Sequence, residues 1–394
     1  MAKLGMPSVT ISFIEAGIEA INRSQRGIVA LLLEEPQDTI TKLLKDHEVT
    51  SGSGTTATTT TIKAITNPFT VYTTDDISSE LSDDNKDYIT KALIGYTKSP
   101  YRLKVYLMVK DETADSKADK FASALTSLAT DRWDYLAIPT IATVQCENVA
   151  TWMKTNRENK HKRSKVVLPG YKGDYEGVID FSNTRVKTAS KSYTGAQYTP
   201  RIAGLLGGTP LTISATYAPL SEVIDCDRYT ADENDEKVNN GEFFIWYDGE
   251  KFKMSRAMNS LVTTTQGKLE AYQTIKSVDI MDAIYDDIKK TAQDSYIGKY
   301  ANDFDNKQLL ITAIMGYFKE LEDGRLLQKG YSQVDIDVEA VKNYQLQHGL
   351  YTADELADMS DLEIKKLDTK KIVFLTAKIK ILDAMEDIVL PIAI

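Results

Sequence analysis

An α/β layer followed by an α+β third, with strand-like arms at both ends, is the fold class this sequence predicts. Three observations carry that reading. Between residues 101 and 168 strand-like and helix-like stretches alternate, the pattern of an open layer of parallel strands. Past Tyr171 the texture turns to Gly, Thr and Tyr with Pro200, Pro210 and Pro219, and then to two long amphipathic helices and short strands. Lastly, residues 388–394 read Ile-Val-Leu-Pro-Ile-Ala-Ile, and Val9, Ile11 and Phe13 alternate with Thr10 and Ser12. Chain ends are usually polar and frayed, so two half-apolar, strand-like ends are candidates for adding to a sheet, the chain's own or a neighbour's.

Taken in order, the continuous apolar run at residues 28–33 suits a strand buried on both faces. Residues 51–61 are almost wholly Ser, Gly and Thr and predict an exposed loop. A helix begins near Asp83-Asp84, with Tyr88, Ile89, Ala92 and Leu93 on one face. Residues 101–109 predict a strand, Phe121, Leu125 and Leu128 a helix face, and residues 135–138 a strand. Residues 148–159 follow as a helix and 165–168 as a strand. The acidic run at 232–236 predicts a surface loop, and Asp248-Gly249 the turn of a hairpin spanning 243–254. Helices are expected at 280–296 and 307–321, and a strand around 372–381 before the apolar tail.

The 394 residues suffice for two or three domains. The predicted division is an arm at 1–20, an α/β domain at 21–230 with a variable insertion around 36–67, an α+β core at 231–382 and an arm at 383–394. A net charge of −10 argues against the whole chain binding nucleic acid. Cys146 and Cys226 have no partner at metal or disulfide-framework spacing and suit a reducing compartment. No secretory leader or membrane-spanning run is visible, so the expectation is a soluble chain made in the cytoplasm.

Chemistry is hard to find. His47, His161 and His348 lack zinc spacing, and there is no G-x-S-x-G turn. The glycines at 204, 207 and 208 lack a phosphate-loop continuation, and their reading is a tight bend between packed elements. The acidic run fails as a calcium loop. The basic run at 160–165 reads first as a solvated helix end, then as a protein-docking patch. No catalytic, cofactor or metal residue is predicted.

Several segments, in order, carry a resemblance. Arg201-Ile202-Ala203-Gly204-Leu205-Leu206-Gly207-Gly208-Thr209-Pro210-Leu211-Thr212-Ile213-Ser214-Ala215-Thr216-Tyr217, Arg256-Ala257-Met258-Asn259-Ser260-Leu261-Val262-Thr263 and Tyr296-Ile297-Gly298-Lys299-Tyr300-Ala301-Asn302 resemble motifs of contractile phage tail sheath proteins. Asp383-Ala384-Met385-Glu386-Asp387-Ile388 resembles that family's turn before its terminal strand, and the opening through Ala30 looks like the start of sheaths from Gram-positive phages and R-type tail-like bacteriocins. Residues 36–67 depart from the pattern.

The resemblance implies a non-enzymatic subunit of stacked hexameric rings around a tail tube, with a subtilisin-like α/β topology that has lost protease function. It implies partners in neighbouring sheath subunits, the tail tube protein, and baseplate and tail terminator proteins, without nucleic acid or membrane insertion. Assembly is expected in the bacterial host cytoplasm, followed by residence in a virion or released particle. Arm strands would use Val9, Ile11, Phe13, Ile388, Val389, Leu390, Ile392 and Ile394. A cationic tube contact is assigned to Lys365, Lys366, Lys370 and Lys371, whose alternative is a solvated helix end. The rival functions are a two-domain α/β hydrolase and a binding subunit that does not polymerise.

Overall fold

The computed structural model describes residue 21, residues 23–51 and residues 58–393. Contacts divide the chain into two compact units, the larger formed by Arg23–Asp286 with the chain end from Ile381, the smaller by Asp287–Lys380.

In the larger unit the apolar run forms β1 (Ile28–Glu35), every residue of it buried. After α1 (Gln37–Leu43) come β2 (His47–Ser51) and β3 (Thr58–Ile62), an antiparallel pair. The expected loop is therefore partly strand: Thr58 to Thr61 pair with β2, as the β-propensity of threonine allows. Next are β4 (Phe69–Val71), α2 (Asp83–Ile94), β5 (Arg102–Val109), α3 (Ala122–Leu128), β6 (Tyr135–Ala137), α4 (Thr143–Glu158), β7 (Lys165–Pro169) and β8 (Val178–Phe181). A three-stranded sheet is made from β9 (Arg185–Thr188), β10 (Ser192–Thr194) and β11 (Val223–Cys226), with α5 (Gly195–Gly207) inserted before the last strand. Then follow α6 (Ala231–Asn239), β12 (Glu242–Phe243), β13 (Ile245–Tyr247), β14 (Phe252–Met254) and α7 (Ile275–Thr291).

The main sheet has seven strands in the order β12-β8-β7-β6-β1-β5-β4. All neighbours are parallel except β4 against β5. The period-two rule sorts β1 cleanly. Val29, Leu31 and Leu33 join a core with Tyr88, Ile89 and Ala92 of α2 and Ile202 and Leu205 of α5. Ile28, Ala30 and Leu32 join the other, with Leu125 and Leu128 of α3 and Val149 and Met153 of α4. Burial on both faces is why these strands read as unbroken apolar runs.

Three expectations need correction. The glycines 204 and 207 form no bend: they lie inside α5, thirteen residues long despite Pro200. A Cβ on Gly204 would stand 2.0 Å from the Ala92 carbonyl oxygen of α2, so the glycine permits close approach of two backbones rather than a turn. The acidic run is α6, whose start is set by a reciprocal cap: Glu233 N–H donates to Thr230 Oγ1 at 3.3 Å and the Glu233 carboxylate accepts from Thr230 N–H at 2.7 Å. The hairpin is β13 with β14, while Phe243 pairs with Phe181 in the main sheet. By contacts, residues 231–286 group with the larger unit and the division falls within α7.

The smaller unit holds the end of α7 with a π-helical turn at Ala292–Tyr296, then α8 (Phe304–Asp323), β15 (Gln333–Ile336), α9 (Val338–Gln347), α10 (Ala353–Ala357), α11 (Asp361–Lys365) and β16 (Leu375–Lys378). Ile311, Ile336, Val341 and Ile364 form its buried cluster. β15 and β16 pair antiparallel as a two-stranded sheet. The strand expected at 372–381 is shorter than predicted, four residues of which three are exposed.

Candidate assembly interface

Two features of the larger unit stand apart from ordinary packing: the chain end and the inner face of α7.

The chain end is tied at its root. Lys276 Nζ donates to the Leu382 carbonyl at 2.9 Å and Ser277 Oγ to Asp383 Oδ1 at 2.8 Å. Burial pushes the Lys276 ammonium below the usual lysine range, with Asp383 opposing it. Glu386 Oε1 accepts from Ser214 Oγ at 3.1 Å and Thr216 Oγ1 at 2.6 Å, and Arg256 Nε lies 3.4 Å from Glu386 Oε2. Arg256 also donates to Asp387 Oδ1 at 2.5 Å. Charge-assisted bonds of this kind are short and orient their partners. Ser214, Thr216 and Arg256 belong to the very segments quoted above, so those motifs build the seat of the tail root.

Beyond Asp387 the packing stops. Ile388, Val389, Leu390 and Ile392 are 84, 92, 74 and 76% exposed. Residues 382–393 form no helix or strand. Of the predicted arm residues, Val9, Ile11, Phe13 and Ile394 lie outside the described residues. The other four share one tail whose apolar side chains stand in water, an arrangement that favours a partner by about 1.5–3 kcal/mol for each such side chain fully buried.

The second feature was missed in the sequence. Asp279, Asp282 and Asp286 share one face of α7 and meet four cations. Arg157 grips Asp282 through two bonds of 3.0 Å, and Lys165 Nζ lies 2.6 Å from Asp282 and 2.8 Å from Asp279. Tyr135 donates to Asp279 at 2.7 Å, and Arg26 and Arg132 reach Asp286 at 3.2 and 3.8 Å. Burial raises the Asp282 carboxyl pKa, yet Lys165 and Arg157 outweigh it and hold that group below the usual carboxylate range. Lys165, expected on a solvated helix end, is fully buried at the start of β7. The i, i+3, i+7 spacing of the aspartates was the available signal; the apolar face, with Ile280 and Ile284, drew the reading instead.

The four lysines differ from one another. Lys365 Nζ is 2.6 Å from Asp335, and Lys370 Nζ is 2.7 Å from Asp368. Lys366 and Lys371 are exposed, with Lys366 over the Phe304 ring at 5.5 Å. Asn302 Nδ2 donates to the carbonyls of Lys370 and Ile372 at 2.9 and 3.1 Å, so the Tyr-Ile-Gly-Lys-x-x-Asn segment shapes the loop bearing two of them. Exposed His161 and His348 face Tyr285 and Tyr344 rings.

The larger unit is a three-layer α/β core with a tail anchored at its root and apolar and exposed beyond it. Comparison with known proteins agrees. The phage tail sheath protein central domain matches residues 114–260 and the phage tail sheath C-terminal domain residues 268–394. The tail sheath protein of Clostridium phage phiCD119 is 33% identical over 385 residues, 98% of each chain. The fold is similar to a sheath tail protein of Desulfitobacterium hafniense, with 20% identity, TM-score 0.56 and 84 and 94% of the two chains covered. It is also similar to a chain of the sheath complex of an extracellular contractile injection system in its contracted state, with 10% identity, TM-score 0.61 and 100 and 98% covered. The chain belongs to the phage tail sheath protein family and is a structural subunit of a contractile tail sheath.

Proposed function

We propose that this chain polymerises as stacked hexameric rings around a tail tube, and that its two arms are the links that survive contraction. The observation carrying this reading is the tail: rooted by Asp383, Glu386 and Asp387, apolar and exposed from Ile388. A tether of that kind supplies main-chain hydrogen bonds and alternating side chains to a sheet edge on another subunit. A receiving edge fits β15 and β16, each of which pairs only with the other among the described residues. The N-terminal arm, with Val9, Ile11 and Phe13, would add at the same sheet of another copy. A head-to-tail contact that does not close propagates as a helix, and rigid bodies joined by such straps can change radius without separating.

The α/β body of the larger unit would then act as a rigid block, with a subtilisin-like topology and no proteolysis. Tube, baseplate and tail terminator proteins are the remaining partners, met in the bacterial host cytoplasm before the particle leaves. For the tube contact, Lys366 and Lys371 are the stronger pair, because Asp335 and Asp368 neutralise Lys365 and Lys370 locally.

The direct test is removal of residues 388–394, or of residues 1–12, from the full chain, scored by electron microscopy of the purified products. Loss of tubes with an unchanged folded monomer is the expected result. Long tubes from either shortened chain would rule out the strap mechanism.

A further inference from the structure

A cleft of about 590 Å³ opens in the larger unit beside the tail root. One wall is α6, through Asn234, Val238 and Asn239, and the other is the β12–β13 segment, through Phe244 and Trp246. Tyr217 stands near Trp246, their ring centres 5.7 Å apart. Its backbone has φ +57°, a left-handed conformation uncommon for a bulky residue, while the side chain remains an exposed part of the lining. Asn234 Oδ1 is buried without a hydrogen-bond partner among the described residues. Finally, Asp387 is itself part of the lining, so the next residue, Ile388, starts at the cleft.

We propose that this cleft is the resting seat of the chain's own tail in the unassembled subunit, which stows the strap until a neighbour competes for it. The inference rests on the strap reading above, because stowing matters only if the tail links subunits. In the structure residues 388–392 lie outside the cleft, with Ile388, Val389, Leu390 and Ile392 exposed. Extended, residues 388–392 reach about 17 Å, enough to lie along the cleft from its Asp387 end. The aromatic wall takes the apolar side chains. The choice of the chain's own tail over another copy's follows from the tether: a short flexible link gives a local concentration on the order of millimolar, well above that of free subunits in dilute solution.

The test places a cysteine pair in the full-length chain, Asn239→Cys with Leu390→Cys, and oxidises it at low protein concentration. A bond within one chain, formed at a rate independent of concentration, is expected. The locked protein should form no tubes until reduced. Bonds only between chains, rising with concentration, overturn the proposal in favour of a second copy's tail. No bond, while both cysteines react with a maleimide, overturns it as well. A second variant, Trp246→Ala, leaves the strap intact and removes the seat, so tubes should form at about tenfold lower protein concentration, the scale expected for loss of an aromatic anchor. An unchanged threshold counts against the seat. Deleting residues 388–394 separates the two readings: tubes that persist without the tail sink the strap itself, whereas tubes that vanish while the cysteine pair fails to close sink only the stowing.

Discussion

Strands β1 and β16 occupy the two extremes of burial in this protein. β1 has neighbours on both edges and helices over both faces, and its eight residues are all buried. Among the described residues β16 has one neighbour, β15, and three of its four residues are exposed. The same contrast separates the α7 clamp from the tail root. The centre of the clamp, Asp282 with Arg157 and Lys165, is fully buried; the root is a set of partly exposed ion pairs from which an apolar tail departs. The larger unit's sheet buries its central strands on both faces and leaves β12 and β4 as its edges. Among the described residues β15 and β16 pair only with each other, and the tail holds apolar side chains exposed, both of which suit a subunit that joins others.

The contrast can be broken most severely at the clamp. Asp282→Ala leaves Arg157 and Lys165 buried without their carboxylate, and removing one partner of a buried ion pair costs about 3–5 kcal/mol. Urea unfolding should show that loss; a change below about 1 kcal/mol would mean the clamp adds nothing to the core.

A smaller, pH-dependent effect is expected at the sheet's edge. Asp180 of β8, 1% exposed, faces Glu242 of β12 in register. Burial first, then Glu242, pushes its carboxyl up to about 7. The unfolded value is about 4, so between those values the folded chain keeps a proton that the unfolded chain has released. Stability therefore falls as pH rises from about 4 to about 7, then levels off. Denaturant titrations of Asp180→Asn across that range should show a flatter profile; an identical slope would place the proton elsewhere.

The smallest effect belongs to the tail root. Arg256 pairs with Glu386 and Asp387 at a half-exposed site, where ion pairs contribute about 0–1 kcal/mol. Arg256→Ala should leave the thermal unfolding of the monomer nearly unchanged. A large drop would show that the root belongs to the core and would erase the contrast.

Much of the fold was legible because it is written locally. The run at 28–33, the helix faces at 88–93 and 121–128 and the strand at 165–168 each carry their own periodicity. The hairpin turn at Asp248-Gly249 carries its own chemistry: the Asp248 side chain accepts from the N–H groups of Glu250 and Lys251. The misreadings share one cause. Gly204 looks like a breaker until Ala92, far away in sequence, is seen to require it. Lys165 looks like a solvated cation until Asp282, 117 residues on, is brought to 2.6 Å.

By itself the sequence determined the alternation of strand and helix, the doubly buried β1 and the apolar tail, because hydrophobic period and turn chemistry act within a few residues. Tertiary structure alone decided that Gly204 closes a helix pair, that a basic run ends in a buried clamp, and that the tail root is seated on Ser214, Thr216 and Arg256. Those outcomes depend on desolvated contacts between distant segments, and such contacts have no local period to announce them.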